Sequence, residues 1–156
     1  MKRLLTFLSL ILTLNLVGCS SKEETTVKDV PVTEIETSIN NETLLPIQPV
    51  QSVDAKTFYA FDSVKDKIKE GFVIKAMINV KLQDVFVIKT DDAEAIKTAI
   101  ETYKENDLRM FGDGYGGEEN AKAVAESILE TKGDYVYFIA TQNAKDIEAK
   151  ILEIIE

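Results

Sequence analysis

Two apolar runs dictate what this chain must build. Val85-Phe86-Val87-Ile88 is apolar on both faces, the pattern of a central strand with no side turned to water. Tyr135-Val136-Tyr137-Phe138-Ile139-Ala140-Thr141, rich in aromatic and β-branched residues, is the strongest strand signal of the sequence. Ile78, Val80 and Leu82 alternate with Asn79, Lys81 and Gln83, the period of a half-buried strand. Gln83-Asp84, between that segment and Val85, is not a favoured hairpin pair, so the connection between the two strands stays open.

Helices fit around these strands. Asp91 with Glu94 forms an N-cap signature in the style of a capping box. The helix it opens, over about 92–105, carries Ala93, Ile96, Ala99, Ile100 and Tyr103 on one stripe. Glu118-Glu119 open a second helix at the positive end of its dipole, with Ala121, Val124, Ala125, Ile128 and Leu129 along one face and Lys132-Gly133 as its stop signal. A last helix begins near Asn143, with Ile147, Ile151, Ile154 and Ile155 inward and an Asp146–Lys150 pair outside. Asp62 as N-cap, Val64 and Ile68 one turn apart, and Gly71 at C′ suggest a short helix over 63–70. Ala55 to Phe61, with Phe58, Tyr59 and Phe61, fits either a strand or the start of a helix. The expected fold is α+β over residues 54–156: a two-layer sandwich with a small sheet of about three to four strands and helices packed on one face.

The first nineteen residues belong to something else. Lys2 and Arg3 make a positive n-region, Leu4 to Val17 an apolar h-region shorter than the ~20 residues of a membrane span, and Gly18 the small residue before a cut. Leu16-Val17-Gly18-Cys19 resembles the lipobox of bacterial lipoproteins, in which the signal peptidase cuts between the positions occupied here by Gly18 and Cys19. The resemblance implies a signal peptide over 1–18 and a diacylglyceryl thioether on Cys19, with an N-acyl chain of the palmitate type. Two or more acyl chains anchor stably where one is marginal. The expected location is the extracytoplasmic face of the cell membrane. An uncleaved N-terminal helix, or a plain signal peptide with an incidental cysteine, is the alternative. From there to Val53 the chain is rich in Ser, Thr, Glu, Asn and Gln and holds Pro31, Pro46 and Pro49, so residues 19–53 read as a lipid-anchored disordered linker. Leu44 to Val50 is its apolar part, either a partner-binding motif or an extended arm packed on the domain.

Charge and composition remove several function classes. The formal charge is −9, and loss of residues 1–18, which hold Lys2 and Arg3 and no acid, takes it to −11. Nucleic acid and anionic headgroups are therefore poor partners, and the membrane is reached through lipid alone. Absence of histidine removes Ser-His-Asp and Cys-His nucleophiles and His-ligated zinc. With Cys19 the only cysteine, no intramolecular disulfide can form, and no cofactor is called for.

From Asn79 onward the order of motifs is familiar. Asn79-Val80-Lys81-Leu82-Gln83-Asp84-Val85-Phe86-Val87-Ile88-Lys89, followed by Gly133-Asp134-Tyr135-Val136-Tyr137-Phe138, resembles the core of the domain-of-unknown-function family numbered 4358 (DUF4358), found in lipoproteins of Gram-positive bacteria. The resemblance covers most of residues 60–156. It implies a domain boundary and a location, and no activity.

Gly112-Asp113-Gly114-Tyr115-Gly116-Gly117 contains G-x-G-x-x-G before a helix, but the dinucleotide fingerprint needs a strand directly before it, and Glu105 to Phe111 reads as loop. A flexible helix-to-helix connection, with glycines at positive φ, is the better reading. Asp107, Asp113, Glu118 and Glu119 are hard oxygen donors suited to Ca²⁺, yet their spacing is not that of the twelve-residue calcium loop, and a solvated acidic loop explains them more simply. Tyr115, with Met110 and Phe111 nearby, suits either an exposed contact or a ring folded back on the core. Paired carboxylates also serve glycosidases, but in so acidic a chain any pair is coincidence, and no tryptophan offers a sugar platform. The leading expectation is a non-enzymatic interaction module for a protein or envelope component. The alternative is a small-ligand or Ca²⁺-binding lipoprotein centred on Asp107, Asp113, Tyr115, Glu118 and Glu119, with no metal site assigned.

Overall fold

The computed structural model describes residues 26–156. The expected signal peptide, cut after Gly18 and lipid on Cys19 all fall outside the described residues. The chain runs α1 (Val32–Ile39), β1 (Val50–Asp54), three short 3₁₀ turns (Ala55–Thr57, Tyr59–Phe61, Lys65–Lys67), β2 (Ile68–Ala76), β3 (Asp84–Thr90), α2 (Ala93–Asp107), α3 (Arg109–Gly112), α4 (Glu118–Ala125), β4 (Ile128–Lys132), β5 (Tyr135–Ala140) and α5 (Ala144–Ile155). The strands form one antiparallel sheet in the order β1-β2-β3-β5-β4. The architecture is α+β, as expected, with five strands.

Helices cover both faces of the sheet, and the pleat explains why. β3 and β5 are buried at every position, so alternate residues supply two separate cores. Val85, Val87, Tyr135, Tyr137 and Ile139 meet α1 and α5 through Val32, Ile35, Ile39, Ile147, Ile151 and Ile155. Phe86, Ile88, Val136, Phe138 and Ala140 meet α2 and the 3₁₀ segment through Ile96, Ile100, Tyr103, Phe58 and Phe61.

Several sequence readings change. Residues 63–70 do not form a helix: Lys65–Lys67 is a single 3₁₀ turn, and Ile68 already belongs to β2. Gly71, read as a helix stop, lies in β2, where a Cβ would come within 3.0 Å of Ala55 Cβ and of the Val87 carbonyl oxygen. Ile78 to Leu82 is loop, not strand. Ile128 and Leu129 leave the helix face assigned to them and start β4, and Lys132-Gly133 leads into a hairpin, with Lys132 paired to Tyr135 and Gly133 at φ +56°. The undecided Ala55 to Phe61 is neither strand nor α-helix but two of the 3₁₀ turns.

The largest correction concerns the linker. Residues 32–53 are not a disordered tether: α1 is an amphipathic helix with Ile35 and Ile39 fully buried, and β1 pairs with β2 from Val50↔Ala76 to Asp54↔Phe72. Leu44 to Val50 packs on the domain through Leu45, also fully buried. The buried Gln83 amide accepts from Ile47 N (3.1 Å) and donates to Ile47 O (2.9 Å), which satisfies an otherwise orphaned stretch of backbone. Further back, residues 27–30 cross the far end of the sheet. The Tyr135 hydroxyl accepts from Val30 N (2.8 Å) and donates to Val30 O (2.6 Å), Lys28 N donates to Ile155 O (2.7 Å), and Lys89 pairs with Asp29.

Candidate functional site

The acids proposed from sequence sit on the α2–α3–α4 connection, and the fold disperses them. Asp107 closes α2 and accepts from the Tyr59 hydroxyl at 2.5 Å. Glu119 accepts from Gln142 Nε2 at 2.9 Å and lies 3.4 Å from Lys81 Nζ. Asp113 and Glu118 face solvent. Among the described residues no three acids converge on a common point where an ion could sit. The Ca²⁺ expectation therefore has no assembled ligand set to act on.

The glycines do what their sequence suggests. Gly114, Gly116 and Gly117 have φ of +99°, +75° and +107°, and the loop they make joins α3 to α4. Helices precede it, not a strand, which removes the dinucleotide reading. At Gly116 a Cβ would come within 2.1 Å of Val80 O and 2.2 Å of Asn120 Nδ2, so the close approach of two loops demands glycine.

Asn120 joins those loops. It lies in the first turn of α4, is 1% exposed, donates to Val80 O and Tyr115 O (2.9 Å each) and accepts from Leu82 N (3.0 Å). Loop 77–83 is held to the glycine loop by this one amide, and the pair displays Met77, Ile78, Val80 and Tyr115, which are 39–58% exposed. Tyr115 is thus exposed, its ring 5.8 Å from that of Phe111. These side chains stand at the Asp84 end of β3. The chain arrives at the opposite end, where Val27 packs on Gly133 and Thr90 N bonds Asp134 O. A strand as long as β3 separates the two ends by about 20 Å.

A second feature went unseen in the sequence. At the same end of the sheet, on the α2 face, Asp84 is 2% exposed and accepts from Lys75 Nζ (3.0 Å) and the Tyr103 hydroxyl (2.6 Å). Lys75 also donates to the Tyr103 hydroxyl and lies 4.7 Å from the Tyr103 ring centre and 5.6 Å from that of Phe58. Burial pushes the Asp84 carboxyl above its ordinary range, against the pull of Lys75 and Tyr103. Burial, then the charge of Asp84, raises the Tyr103 hydroxyl. Lys75 forms one wall of an open groove of 250 Å³, completed by Gln51, Val53, Thr57, Phe58, Tyr59 and Val73. Tyr103 reads in sequence as part of a core stripe, and Lys75 and Asp84 are too far apart to suggest a pair. The one local signal was Asp84 itself, an acid directly before a run with no polar face.

No curated protein and no solved structure matches the chain. The profile of the family described as a domain of unknown function, DUF4358, matches residues 40–141, beginning before β1 and so including part of the segment that composition assigned to a linker. The match spans most of the chain, which belongs to the DUF4358 family.

Proposed function

We propose that this domain is a non-enzymatic interaction module, anchored by lipid on Cys19 at the extracytoplasmic face of the cell membrane, which binds a protein or envelope partner through the tip formed by loop 77–83 and the glycine loop. The observation that carries the reading is the pair of loops pinned by Asn120. They hold Met77, Ile78, Val80 and Tyr115 in water, at the end of the sheet opposite the arriving chain. Apolar side chains grouped on fixed loops are the usual mark of a contact surface. A lipid on Cys19 would lie at most about 25 Å along the chain from Thr26, at ~3.3–3.6 Å per residue. The arriving end would then face the membrane and the tip would face away. Among the described residues no helix is long and apolar enough to cross a membrane, and in this reading the attachment is the lipid that the lipobox resemblance implies. Non-enzymatic action suits an interior in which, among the described residues, the one buried carboxylate, Asp84, is bound by Tyr103 and Lys75.

The test is photo-cross-linking in intact cells with a benzophenone side chain at Ile78, at Tyr115 and, as a control at the far end of α5, at Glu153. The tip positions should give one discrete adduct that Glu153 does not, and Val80→Asp should abolish it. Absence of any adduct, or the same adducts from all three positions, would overturn the reading.

A further inference from the structure

The groove beside β1 and β2 has a composition that selects a ligand. Its lining is aliphatic and aromatic at Val53, Val73, Phe58 and Tyr59 and polar at Gln51 and Thr57, and Lys75 is the only charged side chain among the residues that line it. An ammonium has three protons to donate. Two of those on Lys75 are committed to Asp84 and Tyr103, and among the described residues no further acceptor takes the third. Asp84, 2% exposed and not among the lining residues, holds the lysine in place. The result is one positive point above an aromatic and aliphatic surface, on a protein whose overall charge is negative.

We propose that this groove binds a small amphipathic carboxylate, its apolar body lying on Phe58, Tyr59, Val53 and Val73 and its head accepting the third Lys75 proton. A single cation matches a monoanion, whereas a phosphate calls for several donors or a nest of backbone amides. The volume of 250 Å³ equals that of about eight waters at ~30 Å³ each, and falls just below the ~300–1,000 Å³ of sites for drug-sized ligands. The body is therefore a single ring or a short chain. Met77, Ile78 and Val80 do not line the groove, so the inference does not depend on the tip.

The experiment titrates 3-(4-fluorophenyl)propionate against the full chain in lipid nanodiscs, followed by fluorine NMR, with empty nanodiscs to subtract partitioning. The wild type should bind with a Kd of about 1 mM or tighter. Val53→Phe, which fills the groove and leaves the polar network intact, should weaken binding about tenfold, and the uncharged 3-(4-fluorophenyl)propanol should lose a similar factor. Lys75→Arg should retain binding and Lys75→Met should lose it. If Lys75→Met fails to fold, Val53→Phe and the alcohol still decide. Failure of the acid to bind at 10 mM, equal binding by Val53→Phe, or equal binding of alcohol and acid would each overturn the proposal.

Discussion

Asn120 and Asp84 show how much one polar side chain in an apolar setting can organise. In Asn120→Ala, the Val80 and Tyr115 carbonyls can turn to water, but the Leu82 amide, on a residue 2% exposed, is left without a partner. An orphaned buried group costs ~1–3 kcal/mol, so a loss of about 2 kcal/mol is expected in urea unfolding, with faster amide exchange confined to residues 77–83 and 114–117. Asp84 gives a pH signature. Its carboxyl is raised in the fold from the ordinary 3.8, so its protonated form is favoured there. The stability it contributes is complete below that value and is lost as pH rises through the folded pKa. Asp84→Asn does not titrate, so the variant should gain stability relative to wild type as the pH rises from about 4 through the folded pKa of Asp84. A gap that is constant with pH, measured by urea midpoints, would refute this.

At the scale of elements the decisive fact is that the domain starts well before Asp54. Ile35→Ala, in a helix that composition placed in a linker, should cost about 2–4 kcal/mol, as for other fully buried aliphatic truncations. A chain beginning at Asp54 loses α1 and β1, bares Phe72 and Ile74, and should fail to unfold cooperatively, whereas one beginning at residue 26 should do so. Elements with a uniform signal were legible: β3 and β5 because they are apolar throughout, α2 and α5 because an apolar stripe runs along each, although α2 is capped by Asp92 and not by Asp91, and Asn143 makes no side-chain cap bond to α5. The rest failed for local reasons. β2 mixes Lys69, Glu70 and Lys75 into its run and shifts register between Ile68 and Glu70, which breaks the period of two. β4 follows α4 so closely that Ile128 and Leu129 continue its stripe, and Gly133-Asp134 has the glycine of a hairpin turn in a place that also suits a helix stop. Ile78 to Leu82 alternates like a strand, but Asn120 holds it as a loop. In the candidate site, Tyr115 stayed undecided between exposed and folded back, and the positive-φ glycines were legible. The dispersal of the acids was not, because their partners Tyr59, Lys81 and Gln142 lie far away in the chain.

For the whole molecule, the proposed lipid on Cys19 would supply attachment, and the end at which the chain arrives would then set orientation. With a formal charge of −11 after residue 18, electrostatics oppose binding to anionic lipid. The mature protein should therefore stay in the membrane fraction in 1 M salt and leave it only with detergent, while Cys19→Ser should no longer be membrane-bound after export. Release of the wild type by salt would exclude the lipid anchor.

The strand order has a consequence in time. β1 pairs with β2 and β2 with β3 across short connections, whereas β3 and β5 join only when Asp84 meets Ala140, late in the chain. A chain emerging N-terminus first can thus lay down three strands while the far edge of β3, apolar on both faces, waits unpaired for β5. That interval is when such an edge is most open to pairing with another chain. Aggregation during refolding should accordingly be worst for chains truncated before Tyr135 and should fall once β5 is present, a comparison that light scattering on nested truncations would make directly.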